Sequence, residues 1–138
     1  MTTITIKIDF DSILERVCAE SAWRAAHTDD VPLLTPDNAR LIARHVTAGQ
    51  ADLRSRMSGF VSFWNWNPNI AADNLTIKLS LADGAPATIG DDLTPAIVEL
   101  LAQHALMSFY GEQSSYHRTA WLKYRAQVML MLARTTLP

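Results

Sequence analysis

The sequence predicts a single mainly helical α+β domain, of about four helices with a β-hairpin and a short N-terminal strand, on three observations. Within the stretch Asp91 to Gly111, the part after Pro95 is apolar around most of a helical circumference, with Glu99, Gln103, His104 and Ser108 as its only polar interruptions. A helix of that kind is buried on several sides, so it reads as the central element of a core. Two short runs, Ile4-Thr5-Ile6-Lys7-Ile8 and Leu75 to Leu81, alternate apolar and polar residues with the period of a half-buried strand. Long amphipathic segments fill the rest, two of them opened by the pair Thr-Pro, at Thr35-Pro36 and Thr94-Pro95. A threonine hydroxyl accepts from a free first-turn amide and proline has no amide to leave unsatisfied, so both pairs read as helix entries.

In chain order, the strand Thr3 to Ile8 leads to Asp9 or Asp11 as cap of a helix from about 10 to 26. Ile13, Leu14, Val17, Cys18 and Ala25 make its inner stripe. A loop with Asp29, Asp30 and Pro32 follows. The next helix spans about 36 to 58 with Gly59 as breaker. Leu41, Ile42, His45, Val46, Leu53 and Met57 recur at three- and four-residue steps on it, and Arg40, Arg44, Gln50, Arg54 and Arg56 mark the wetter face. Gly49 inside this helix costs about 1 kcal/mol relative to alanine and so implies a close helix contact or a bend.

The aromatic run Phe60 to Trp66 reads as a second strand. Asn67, Pro68 and Asn69 turn the chain, and Leu75 to Leu81 returns as the other arm of a hairpin. A lone hairpin is marginal, so it must lean on the helices, recruit Ile4 to Ile8 as a third strand, or pair with a neighbouring subunit. Its apolar area exceeds what a two-stranded ribbon buries, which makes Phe60, Phe63, Trp64, Trp66, Leu75, Ile77 and Leu79 the candidate subunit-interface residues. The core helix spans about 92 to 110. After Gly111, Ser114 or Ser115 caps a last helix to about Arg134, with Trp121, Tyr124, Val128, Met131 and Leu132 as its apolar stripe.

Composition bounds the function. A chain of 138 residues with 49% hydrophobic and 19% charged residues is globular and somewhat poor in surface charge, a hint of surface hidden in an assembly. Fourteen acidic against 12 basic residues, a net charge of -2, leave no broad footprint for nucleic acid or anionic lipid. Cys18 stands alone, which excludes an internal disulfide and fits a reducing compartment. Its environment supplies no activating cation, so it reads as a small buried apolar residue. No basic leader precedes an apolar run, and no membrane-spanning stretch occurs, so a soluble, non-exported chain is expected.

The sequence carries no catalytic, cofactor-binding or metal-binding signature. His27, His45, His104 and His117 lack metal-ligand spacing, and phosphate loops and nucleophile elbows are missing. Asp91 and Asp92 suit a helix dipole. Asn74-Leu75-Thr76 matches a glycosylation sequon, read as chance in a chain that is not exported. The expectation is a protein that is not an enzyme and needs no cofactor.

The order of elements is short strand, DSILERVCAESAWRAA helix, TPDNARLIARHVTAGQADLRSRMSGF helix, hairpin, DDLTPAIVELLAQHALMSFYG helix and closing helix. It resembles the small head-tail connector, or neck adaptor, proteins of tailed phages and prophages, Bacteroidales-type versions among them. In that family a pair of helices precedes a hairpin, and a helix of the form P-x-I-x-x-A-x-x-L-x-x-x-x-Y follows, which Pro95 to Tyr110 resembles loosely. The resemblance covers most of the chain. The family's usual acidic first segment is replaced here by ITIKI, which leaves adaptor, stopper and another neck or tail component open. The resemblance implies a structural virion protein, assembled in the bacterial cytoplasm as a homo-oligomeric ring between portal and tail proteins. DNA would pass through the lumen without its sequence being read, and no membrane would be involved. A small non-enzymatic binding or regulatory accessory protein of a phage or prophage is the alternative.

Overall fold

The computed structural model describes residues 2–28, 31–86, 88–111 and 115–135. Strand β1 (Thr2–Ile8) leads into helix α1 (Phe10–His27), and a 3-10 turn (Pro36–Asn38) opens helix α2 (Ala39–Arg56). Strands β2 (Val61–Trp66) and β3 (Leu75–Leu81) follow, then α3 (Ile89–Tyr110) and α4 (Ser115–Arg134). The fold is α+β and mainly helical, with four helices and one antiparallel sheet among the described residues. Asp29, Asp30 and Ser114, which the sequence assigns to a loop and a helix cap, lie outside the described residues.

The hairpin takes β1 as its third strand. The sheet order is β1-β3-β2, with Ile6 opposite Ile77 and Trp64 opposite Ile77 on the other side. This order makes the strongly alternating β3 the central strand. Its residues Leu75, Ile77, Leu79 and Leu81 face the helices, while Lys78 faces solvent. Helix α3 is the hub, packing against α1, α2, α4 and β1. Ile97, Leu101, Ala102 and Leu106 on it are fully buried, in keeping with an apolar surface on several sides.

The entry of α3 departs from the sequence expectation. The helix starts at Ile89, so Thr94 is not its cap and Pro95 lies inside it. Burial of Ile89 and Leu93 adds the extra turn. The Thr94 hydroxyl donates instead to the Gly90 carbonyl at 2.7 Å, and the amide that Pro95 lacks costs the helix one bond near its start. Asp91 and Asp92 belong to the first turn, where their charges complement the dipole. Gly111 ends α3 at φ 65°, a conformation that favours glycine. Thr35 caps its helix as expected: its side chain accepts from Asp37 N–H, and Asn38 reciprocates on the Thr35 amide.

Two buried polar clusters fasten the loops. Asn74, 3% exposed, accepts from the Phe10 amide at 2.7 Å and donates to the carbonyls of Asn67 and Ile70. It therefore does the capping expected of Asp9 or Asp11, whereas Asp9 accepts from the Asp73 amide. An asparagine so enclosed presents no free amide for glycosylation in the folded chain. Tyr110 Oη donates to the Pro32 carbonyl, and the Ser21 hydroxyl, which accepts from the Leu34 amide, meets Tyr110 Oη at 2.8 Å. This network pins the segment after α1 onto the end of α3.

Gly49 answers a close contact between α2 and α3. A Cβ there would sit 2.9 Å from both Cγ and Nδ1 of His104. Those atoms lie near the root of the imidazole and do not swing away freely. Gly49→Ala is therefore expected to destabilise the fold by about 1–3 kcal/mol despite alanine's better helix propensity. Chemical denaturation checks this, and a stabilised variant would refute the contact.

Candidate interaction surface

The sheet has two faces of opposite character, and the seven predicted interface residues divide between them. Leu75, Ile77 and Leu79 are 0% exposed, their side chains inside the core of this chain. They are not available to a neighbouring subunit, a correction that follows from β3 being the central strand. Phe60 is half-buried, and its carbonyl accepts from Ser80 N–H at the start of the hairpin. Phe63 points to the outer face, 46% exposed, with Lys78 Nζ 5.4 Å from the centre of its ring.

Trp64 and Trp66 are half-buried and held by their indole nitrogens. Trp64 Nε1 donates to Gln50 Oε1 at 2.7 Å and Trp66 Nε1 donates to Thr47 Oγ1 at 2.8 Å, both on α2. Phe10 meets the Trp66 ring edge-on at 6.2 Å. These two bonds clamp β2 to α2. The sequence signals were present but unlinked: two tryptophans two residues apart, and a threonine and glutamine three apart on a helix.

Strand β2 is an edge. It pairs only with β3, and no fourth strand flanks it among the described residues. The Asn67 amide donates to the Asn74 carbonyl, so ladder alternation turns the backbone groups of residues 64 and 66 toward the open side. A bulge between Val61 and Phe63 interrupts pairing at the far end. Beside this edge a depression of 210 Å³ lies between Arg54 of α2, Ser58 in the turn after it, and residues Val61 to Trp64. Farther along α2, a groove of 480 Å³ runs past Arg40, Arg44 and Thr47 to Pro68 and Asn69.

The titratable groups elsewhere serve packing. His117, 1% exposed, uses Nδ1 to donate to Gln103 Oε1 at 2.8 Å and stacks on Tyr110. Its Nε2, like Nδ1 of His104 and Nε1 of the neighbouring Trp121, is buried with no hydrogen-bond partner among the described residues. Each of these two rings is hydrogen-bonded on one side at most. Burial, reinforced by Arg24, lowers the His117 pKa. Burial lowers that of His104, opposed by Asp52, and burial with Arg44 lowers that of His45. The half-buried Cys18 thiol is pushed up by burial, which leaves it a poor nucleophile. No group of three or more His, Cys, Asp or Glu side chains able to hold a metal occurs among the described residues. No helix there is long and apolar enough to cross a membrane.

The three lowered histidines set a pH dependence. The ordinary imidazole value is 6.5, and the folded values lie below it. The unfolded chain therefore takes up protons first as pH falls, so the stability is present above that value and is lost on acidification. The melting temperature is expected to drop between about pH 7 and pH 5. A melting temperature that rises over this range would reverse the sign and refute the burial of these rings.

Comparison of the chain with family models, with curated proteins and with solved structures finds no match.

Proposed function

We propose that this chain is a non-enzymatic assembly component, a neck protein that forms a ring between portal and tail during phage assembly and meets a neighbour along the open edge of β2. The observation that carries the reading is that edge itself. An exposed row of strand amides and carbonyls is a template for pairing with another chain. Here it is clamped to α2 by two tryptophan bonds and carries a half-exposed phenylalanine beside it. A clamped edge is already shaped for a partner and loses little further freedom when one is added. The neck assignment within this reading is supported by the order of elements from α1 onward, which resembles that of the small connector proteins. The connector family also supplies the ring, the portal and tail partners and a lumen for DNA.

Deletion of the gene from the phage or prophage that carries it tests the assignment. Filled heads and free tails that fail to join are the expected products. Normal tailed particles from the deletion strain would overturn the neck reading.

A further inference from the structure

The edge of β2 lies beside a row of cations. Arg40, Arg44 and Arg54 are exposed on the side of α2 that also carries Thr47 and Gln50, the anchors of the two tryptophans. None of the three makes an ion pair among the described residues, whereas Arg56, on another face, is bound to Asp52 at 3.1 Å. The 480 Å³ groove and the 210 Å³ depression sit at the two ends of this row. Ala51 and Ser58, small and exposed, lie on the same side and leave room above the helix. A strand added along β2 would have one of its faces over this seam, so its alternate side chains would meet guanidinium groups.

Resting on the assembly reading above, we propose that the seam between β2 and α2 takes an acidic, extended segment of a different protein. That segment would add as a fourth strand on the backbone groups of residues 64 and 66, with its carboxylates on Arg40, Arg44 and Arg54. Charge decides against a second copy of this chain. The strands TTITIKI, VSFWNW and LTIKLSL contain no acidic residue and two lysines, so no edge of another copy supplies carboxylates. Two β2 edges paired about a two-fold axis would also bring both rows of arginines together. Nucleic acid is disfavoured because phosphates would use the arginines but not the strand edge, and the chain as a whole carries a net charge of -2.

The test uses the full chain and a short labelled peptide alternating Glu and Val, with a Lys–Val peptide and single-stranded oligothymidylate as competitors. The Glu–Val peptide should bind saturably, weaken as salt rises, and shift the backbone amide resonances of Trp64 and Trp66. The double variant Arg44→Glu with Arg54→Glu, both at exposed positions, should keep a cooperative melt and lose about tenfold or more in affinity. Equal binding of the Lys–Val peptide, undiminished binding by the charge-swapped variant, or occupation of the arginines by oligothymidylate with no peptide binding would each overturn the inference. Its failure is separable from that of the neck reading. If deletion strands heads without tails and the charge-swapped protein restores joining in full, the acidic partner is wrong and the assembly role stands.

Discussion

Ile77→Lys is expected to abolish folding. Ile77 lies midway along the central strand, paired with Ile6 on one side and Trp64 on the other, and is 0% exposed. An ammonium placed there has no carboxylate on either flanking strand and no path along the strand to solvent. Burying a charge without a partner costs several kcal/mol even after relaxation, and loss of the isoleucine packing adds about 2–5 kcal/mol. A domain of this size has only about 5–15 kcal/mol to lose. The variant should accumulate as insoluble chain, or show no cooperative melt by circular dichroism. Ile77→Val, which keeps the shape, should cost about 0.5–1.5 kcal/mol. A folded, cooperative Ile77→Lys protein would mean that this face of β3 looks outward to a partner.

Leu101→Ala probes the other half of the core. Leu101 is fully buried midway along α3, the helix against which α1, α2, α4 and β1 all pack. With neighbours on several sides the cavity cannot collapse, so the upper part of the usual range applies, about 3–5 kcal/mol. Equilibrium urea unfolding should show the midpoint fall with the slope unchanged. A loss no larger than that of a surface substitution would remove α3 from the centre of the fold.

Much of this architecture was legible because it rests on periodicity. The alternation in Leu75 to Leu81 and the apolarity of the stretch from Pro95 to Tyr110 each specify an element and its burial, and both elements formed, the helix with an earlier start at Ile89. Thr94 misled because the local Thr-Pro signal competes with two buried residues upstream, and burial of Ile89 and Leu93 outweighs a cap. The interface residues on β3 misled for a related reason. Alternation tells which residues share a face but not which face is covered, and whether β1 or another molecule completed the sheet decided that. Recruitment of β1 placed β3 in the middle and left β2 as an edge. The polar fasteners were not legible at all. Asn74 binding Phe10, and Tyr110 reaching Ser21 and Pro32, join residues far apart in the chain, and a single sequence holds no signal for such pairings. Gly49 was the exception, since a glycine that weakens a long helix already implied a close neighbour.

The candidate surface was half legible. Aromatic density marked the Phe60 to Trp66 run as special, but only the fold separates Phe63, which faces solvent, from Trp64 and Trp66, which hold the strand to α2. The arginines of α2 gained meaning in the same way. As a sequence they are a solvated helix face, and in the fold Arg54 lines the depression beside the open edge while Arg40 and Arg44 line the groove that continues past Pro68 and Asn69.

Hydrogen exchange at the backbone amides of Trp64 and Trp66 tests the central claim most directly, compared between the isolated chain and the native assembly purified with this chain in it. An edge strand that joins a neighbour should exchange these two amides readily when alone and become protected in the assembly, while the amides of Leu75 to Leu81, central in the sheet, stay protected in both. Equal exchange of Trp64 and Trp66 in the two states would contradict it, and β2 would then be an edge that the assembly leaves open.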